Sequence, residues 1–83
     1  MKITIKSFAI TKDYFPNNTV IELPESEETA TLGSFVDYLK AENPHAIILL
    51  DNCRFAIGDE FAEREDPITE GAEICFLPPS SGG

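Results

Sequence analysis

The sequence has 83 residues, fifteen acidic against six basic side chains, a formal charge of −9 at pH 7 and 42% hydrophobic residues. A chain of this size makes a single domain that buries only about 60–65% of its unfolded surface, which leaves little room for a deep pocket with its own catalytic shell. Its charge repels phosphate backbones and anionic membranes, which argues against nucleic-acid and lipid partners and in favour of a basic protein surface.

The opening Met1-Lys2-Ile3-Thr4-Ile5-Lys6-Ser7-Phe8 alternates apolar and polar residues from the start. This predicts a strand over Lys2–Lys6 and lacks the apolar run and cleavage site of a signal peptide, so the expected location is the cytoplasm. No stretch is long and apolar enough to span a bilayer. Phe8 to Phe15 is too short for a full helix and closes on the turn cluster Pro16-Asn17-Asn18. Thr19–Leu23 predicts a second strand, which Pro24 ends, and Glu25–Thr29 reads as a solvated acidic loop.

Thr31 has the chemistry of a helix N-cap, because its hydroxyl can accept from the unpaired amides of a first turn. Leu32, Phe35, Val36 and Leu39 follow at i, i+3, i+4 and i+7, a single apolar stripe. Pro44 disfavours helical geometry at Asn43, so this helix should stop near Glu42, and Gly33 should weaken its first turn by about 1 kcal/mol relative to alanine. Ala46–Leu50 is an apolar run that fits either a buried strand or a helical turn. Arg54–Ile57 and Glu60–Ala62 flank Gly58-Asp59 as in a short hairpin or tight turn, and Gly71 can supply a positive φ in the turn that begins at Pro67. The last strand is predicted over Glu73–Leu77, with Ile74 and Phe76 facing the core and Cys75 and Leu77 facing away. One helix packed on one face of a mixed sheet buries these stripes with the fewest elements, an α+β roll over residues 1–77 followed by a tail, 78–83.

Catalytic constellations are scarce. His45 is the single histidine, and Cys53 and Cys75 stand 22 residues apart without a CxxC pair. That is too few ligands for a structural zinc or an iron–sulfur cluster, so no metal site is assigned and the cysteines read as small, partly buried thiols. The tail is different. Pro78-Pro79 favours an extended backbone that projects from the sheet, and Ser80-Ser81-Gly82-Gly83 forms a thin tip. Its strongest functional group is the carboxylate of Gly83. Two residues without Cβ allow hydrogen-bond donors of a partner to approach the backbone from both sides in a narrow active site. A carboxylate is inert to nucleophiles until activated, for example as an acyl-adenylate.

The whole chain resembles the ubiquitin-like β-grasp sulfur carriers, and among them most closely the small subunit of molybdopterin synthase. The resemblance lies in Phe8-Ala9 with Lys12-Asp13 after the first strand, in the helix stripe, in Pro67-Ile68-Thr69-Glu70-Gly71-Ala72-Glu73-Ile74, and above all in the ending Phe76-Leu77-Pro78-Pro79-Ser80-Ser81-Gly82-Gly83. Thr11 stands where that family often has leucine, and Gly58 where it often has asparagine. The resemblance implies a β-grasp roll whose tail, Pro78, Pro79, Ser80, Ser81, Gly82 and Gly83, inserts into a partner. It implies that a ubiquitin-activating-like enzyme uses ATP to adenylate Gly83, and that a persulfide donor converts it to a thiocarboxylate. The large synthase subunit would then pass that sulfur to a pterin precursor of the molybdenum cofactor. On this reading the chain binds no cofactor and is a co-substrate rather than an enzyme. Leu77, and Phe55 if its short strand has the matching parity, would form the partner interface. Carriers for thiamine, cysteine or tRNA thiolation, protein modifiers, and a non-reactive interaction module are the competing readings.

Overall fold

The computed structural model describes residues 1–24 and 30–79. The acidic loop expected at 25–29 and the tip of the tail, 80–83, lie outside the described residues. The strands are β1 (Lys2–Ser7), β2 (Thr19–Glu22), β3 (Arg54–Ile57), β4 (Glu60–Ala62) and β5 (Glu73–Leu77), and the helices are α1 (Leu32–Glu42) and α2 (Ile47–Asn52). Short 3-10 turns occupy Ala9–Asp13 and Pro44–Ala46. The five strands form one mixed sheet in the order β2-β1-β5-β3-β4, the α+β roll that the sequence predicts. β5, the last strand of the chain, is the central one: it runs parallel to β1 and antiparallel to β3.

Alternation decides which side of the sheet is covered. Ile3 and Ile5 of β1 and Ile74 and Phe76 of β5 are fully buried and lie side by side in register, Ile5 opposite Ile74. The α1 stripe, Leu32, Phe35, Val36 and Leu39, packs into the same core. Each such side chain contributes roughly 1.5–3 kcal/mol of transfer free energy when fully buried. Phe76 is the hub, with its ring edge-on to Phe15, Phe35 and Phe55 at centroid distances of 5.5, 6.5 and 5.3 Å.

The first turn of α1 is fully partnered. The Ser34 amide donates to Thr31 Oγ1 at 3.2 Å, and the Thr31 amide donates to Ser34 Oγ at 2.9 Å, a reciprocal cap. The Leu32 and Gly33 amides donate to the carbonyls of Asp66 and Arg64, each at 2.8 Å. This contact changes the reading of Gly33. A Cβ there would stand 3.1 Å from the Arg64 carbonyl oxygen, so glycine lets the loop close onto the helix end and is not a simple loss of propensity.

The apolar run at 46–50 is helical. Ala46 and Leu50 are buried while Ile47 and Ile48 are 38% and 78% exposed. Burial at i and i+4 is helix spacing, whereas a strand would bury alternate residues. The Lys40–Asp51 ion pair joins α2 to α1. Gly58 at φ +61 and Gly71 at φ +80 supply the left-handed positions of their turns.

Candidate functional site

Because β1 and β5 are parallel and β3 is antiparallel to them, three chain segments meet at one end of the sheet. The C-terminal end of β5 leads to Pro78 and Pro79, the end of β1 leads to the turn at Ala9–Asp13, and α2 delivers Asn52-Cys53 to the start of β3. Pro78 is half-buried and Pro79 exposed. Ser80, Ser81, Gly82 and Gly83, the expected inserted tip, lie outside the described residues.

The sheet face opposite α1 carries an apolar patch at this end. Leu77 is half-buried, faces away from Phe76 and pairs with Arg54 of β3. Ser7 is level with Phe76, and one step further along the two strands brings the extended Phe8, 48% exposed, level with Leu77. The Arg54 guanidinium stacks over the Phe61 ring at 4.2 Å, and Phe61 is 62% exposed. Phe61 pairs with Ala56 and so shares its side of the sheet.

Register settles the parity of Phe55. It pairs with Phe76 and touches it edge-on, so it lies on the covered side with the core and does not share the face of Leu77. Phe8 holds the place beside Leu77 on the β1 side, and Arg54, stacked on Phe61, holds it on the β3 side. Parity counted across the Gly58-Asp59 turn could have found Phe61 had the strand ends been known.

The turn that presents Phe8 is held under strain. Ala9 sits at φ 52, in the left-handed region where a Cβ crowds the backbone. Thr11, fully buried, holds it there. Its Oγ1 accepts from the Phe8 amide at 2.8 Å and donates to the Phe8 carbonyl at 2.5 Å. The hydroxyl explains how a polar residue can occupy a site with no water access.

On the covered side of the tail root an open groove of about 420 Å³ is lined by Ile10, Tyr14, His45, Ile48 and Pro79, with Leu49 and Asn52 completing it. His45 lies stacked against Tyr14, ring centroids 5.8 Å apart.

Nucleophilic chemistry finds little support in the side chains. Burial pushes the Cys53 thiol above its ordinary pKa. Cys75 is also raised, chiefly by burial, with Glu73 and Asp59 adding to the shift and Lys6 opposing it. Both are therefore poorer thiolates than a free cysteine. Among the described residues no three His, Cys, Asp or Glu side chains come together in a metal-ligating group, and no helix is long and apolar enough to cross a membrane.

The profile described as the ThiS family matches residues 15–83. A search of curated proteins returns no match. Among solved structures, SAMP1 of Haloferax volcanii, a small archaeal modifier protein, is similar at 21% identity, with 100% of both chains covered and a TM-score of 0.78. The complex of subunits 1 and 2 of the molybdopterin-converting factor of Helicobacter pylori contains a chain that is 23% identical, again with 100% of both chains covered and a TM-score of 0.70. These likenesses establish the fold, a ubiquitin-like β-grasp.

Proposed function

Because the chain belongs to the ThiS family, we propose that it carries sulfur as a thiocarboxylate on Gly83 and serves as the small subunit of a molybdopterin synthase. The observation that carries this reading is the junction of fold and tail. The central strand β5 runs without a break into Pro78-Pro79, and the sequence continues Ser80-Ser81-Gly82-Gly83. A rigid sheet thus anchors a narrow peptide whose last two residues have no Cβ.

In the proposed cycle a carboxylate oxygen of Gly83 attacks the α-phosphorus of ATP in a ubiquitin-activating-like enzyme, and pyrophosphate leaves. The terminal sulfur of a persulfide then attacks the acyl carbon and displaces AMP. Reduction of the resulting acyl disulfide by a thiol frees the thiocarboxylate. The chain contributes the tail as co-substrate, and the side chains that perform catalysis belong to the partners. Leu77, with Phe8 beside it and Phe61 beyond Arg54, forms the surface that seats the domain on the large subunit, while Pro78, Pro79, Ser80, Ser81, Gly82 and Gly83 enter that subunit's channel. Support for this partner comes from the Helicobacter pylori structure, a complex of subunits 1 and 2.

The test is intact mass after incubation with the adenylating enzyme, ATP and a sulfur source. The mass should rise by the difference between sulfur and oxygen, and the rise should vanish when Gly83 is deleted. Unchanged mass with an enzyme competent on its own carrier would refute the reading. Likeness to the modifier SAMP1 favours a second reading, transfer of the activated Gly83 to lysines of other proteins. Higher-mass conjugates on denaturing gels of cell extract would identify that activity.

A further inference from the structure

We infer that the groove between Ile10, Tyr14, Ile48 and Pro79 is a second docking surface, filled by an apolar side chain of the adenylating enzyme that receives Gly83. The inference rests on the reading of Gly83 as the activated carboxylate. It adds a contact on the covered side of β5, separate from the open-face patch around Leu77.

The groove joins side chains that are far apart in sequence: Ile10 from the turn after β1, Ile48 from α2, and Pro79 beyond β5. Ile48 is 78% exposed, Ile10 54% and Tyr14 36%. None of these positions needs an apolar residue for the core. Ile48 lies on the side of α2 away from the buried Ala46 and Leu50, where a polar residue would fold equally well. Apolar side chains gathered from three segments at the root of the tail suit contact with a protein that takes the tail. Histidine is the single ionisable group in the lining apart from the tyrosine, so the occupant that fits is apolar rather than ionic.

Chain length says what kind of protein covers it: one whose active site receives Gly83. Pro79 lines the groove, and Gly83 is four residues further on. Even fully extended, four residues span only about 14 Å, so an active site that holds the Gly83 carboxylate lies within that distance of the groove. The mouth of that site must therefore press against the root of the tail. Leu77 lies on the open face of the sheet, whereas the groove is lined by α2, which packs through Leu50 into the core on the other side. A mouth that contacts both sides fixes the direction in which the tail enters. Adenylation comes first whether the chain is a sulfur carrier or a modifier, so the adenylating enzyme is the occupant common to both fates.

The experiment measures pyrophosphate release by the ubiquitin-activating-like enzyme of the same organism, with the full chain as the varied substrate. Ile48→Ser and Ile10→Ser should each raise KM for the chain about tenfold while kcat stays within about twofold, because the lost contact positions the tail without touching the reacting atoms. Circular dichroism should show unchanged melting for Ile48→Ser. If the wild-type chain turns over and both variants keep its KM, the groove inference is overturned and the carrier reading stands. If the wild-type chain is not adenylated, the carrier reading falls and the inference with it. Sedimentation velocity supplies the remaining arm: a wild-type dimer that Ile48→Ser dissociates would assign the groove to a second copy and overturn the proposal.

Discussion

Thr11→Val isolates one hydroxyl whose loss should be felt both in stability and at the partner surface. Valine keeps the shape of the side chain, so no cavity opens at this fully buried site. Two hydrogen bonds disappear, from the Phe8 amide to Oγ1 and from Oγ1 to the Phe8 carbonyl. The carbonyl keeps a partner, since the Thr11 amide still donates to it at 3.1 Å. The uncompensated loss is therefore the Phe8 amide alone, for which an unsatisfied buried donor costs about 1–3 kcal/mol. That bond is only partly buried, so water recovers some of it, and about 1–2 kcal/mol is expected. Ala9 at φ 52 is then free to relax, and Phe8 should drift from its place beside Leu77. For a domain of this size each kcal/mol lowers the melting temperature by roughly 4–8 °C, so the drop should be about 5–15 °C. Thermal unfolding by circular dichroism measures it, and amide hydrogen exchange locates it: the Phe8 amide should stay protected in Thr11→Ser and lose protection in Thr11→Val. A Thr11→Val protein that melts within about 2 °C of wild type with Phe8 still protected would refute the argument.

Neighbouring residues of β5 should separate cleanly. Phe76→Ala should cost roughly 3–5 kcal/mol, much of the margin of so small a domain, whereas Leu77→Ser should spare the urea midpoint and weaken binding to the large subunit; unfolding by Leu77→Ser would contradict the register. Ser7→Ala should raise stability by up to about 1 kcal/mol, read from the same urea titration, because the buried Ser7 Oγ has no hydrogen-bond partner among the described residues. Alkylation of Cys75 by iodoacetamide should follow a pH profile displaced to the alkaline side of a free thiol, since a raised pKa leaves less thiolate at any pH below it. Association with the adenylating enzyme should slow with added salt while dissociation changes less, as expected if the −9 charge steers encounter and apolar contacts hold the complex; a stopped-flow association rate indifferent to ionic strength would leave the charge with no role in binding.

Features governed by local chemistry could be read directly from the residues. Thr31 as cap, the 32–39 stripe, the stop before Pro44, the hairpin around Gly58-Asp59 and the inward Ile74 and Phe76 all follow from patterns a few residues long. Features that depend on what lies across the fold could not. Phe55 faces Phe76 because of a pairing between strands far apart in sequence, and a four-residue strand has too few alternations to show this alone. The run at 46–50 is uniformly apolar, and only its neighbours decide that Ala46 and Leu50 turn inward. By propensity Gly33 is a weak point in a helix, and the Arg64 carbonyl that requires it comes from a loop some thirty residues away. Of the candidate site, the tail motif was legible as sequence. The patch and the groove beside it, assembled from segments β1, α2, β3, β4 and β5 bring together, were not.

The place of β5 has a bearing on how copies of the protein are sorted during synthesis. The strand made last fills the middle of the sheet, between β1 and β3, which have no direct pairing of their own. A ribosome that has delivered β1 to β4 has delivered two separate two-stranded ribbons, and isolated ribbons of that kind are marginal in water. Closure awaits Ile74 and Phe76, which supply the centre of the core. A prematurely terminated chain should therefore remain open and accessible to proteases rather than persist as a folded impostor. Any copy compact enough to survive has been translated through Leu77, to the threshold of the tail, so the topology itself acts as proofreading.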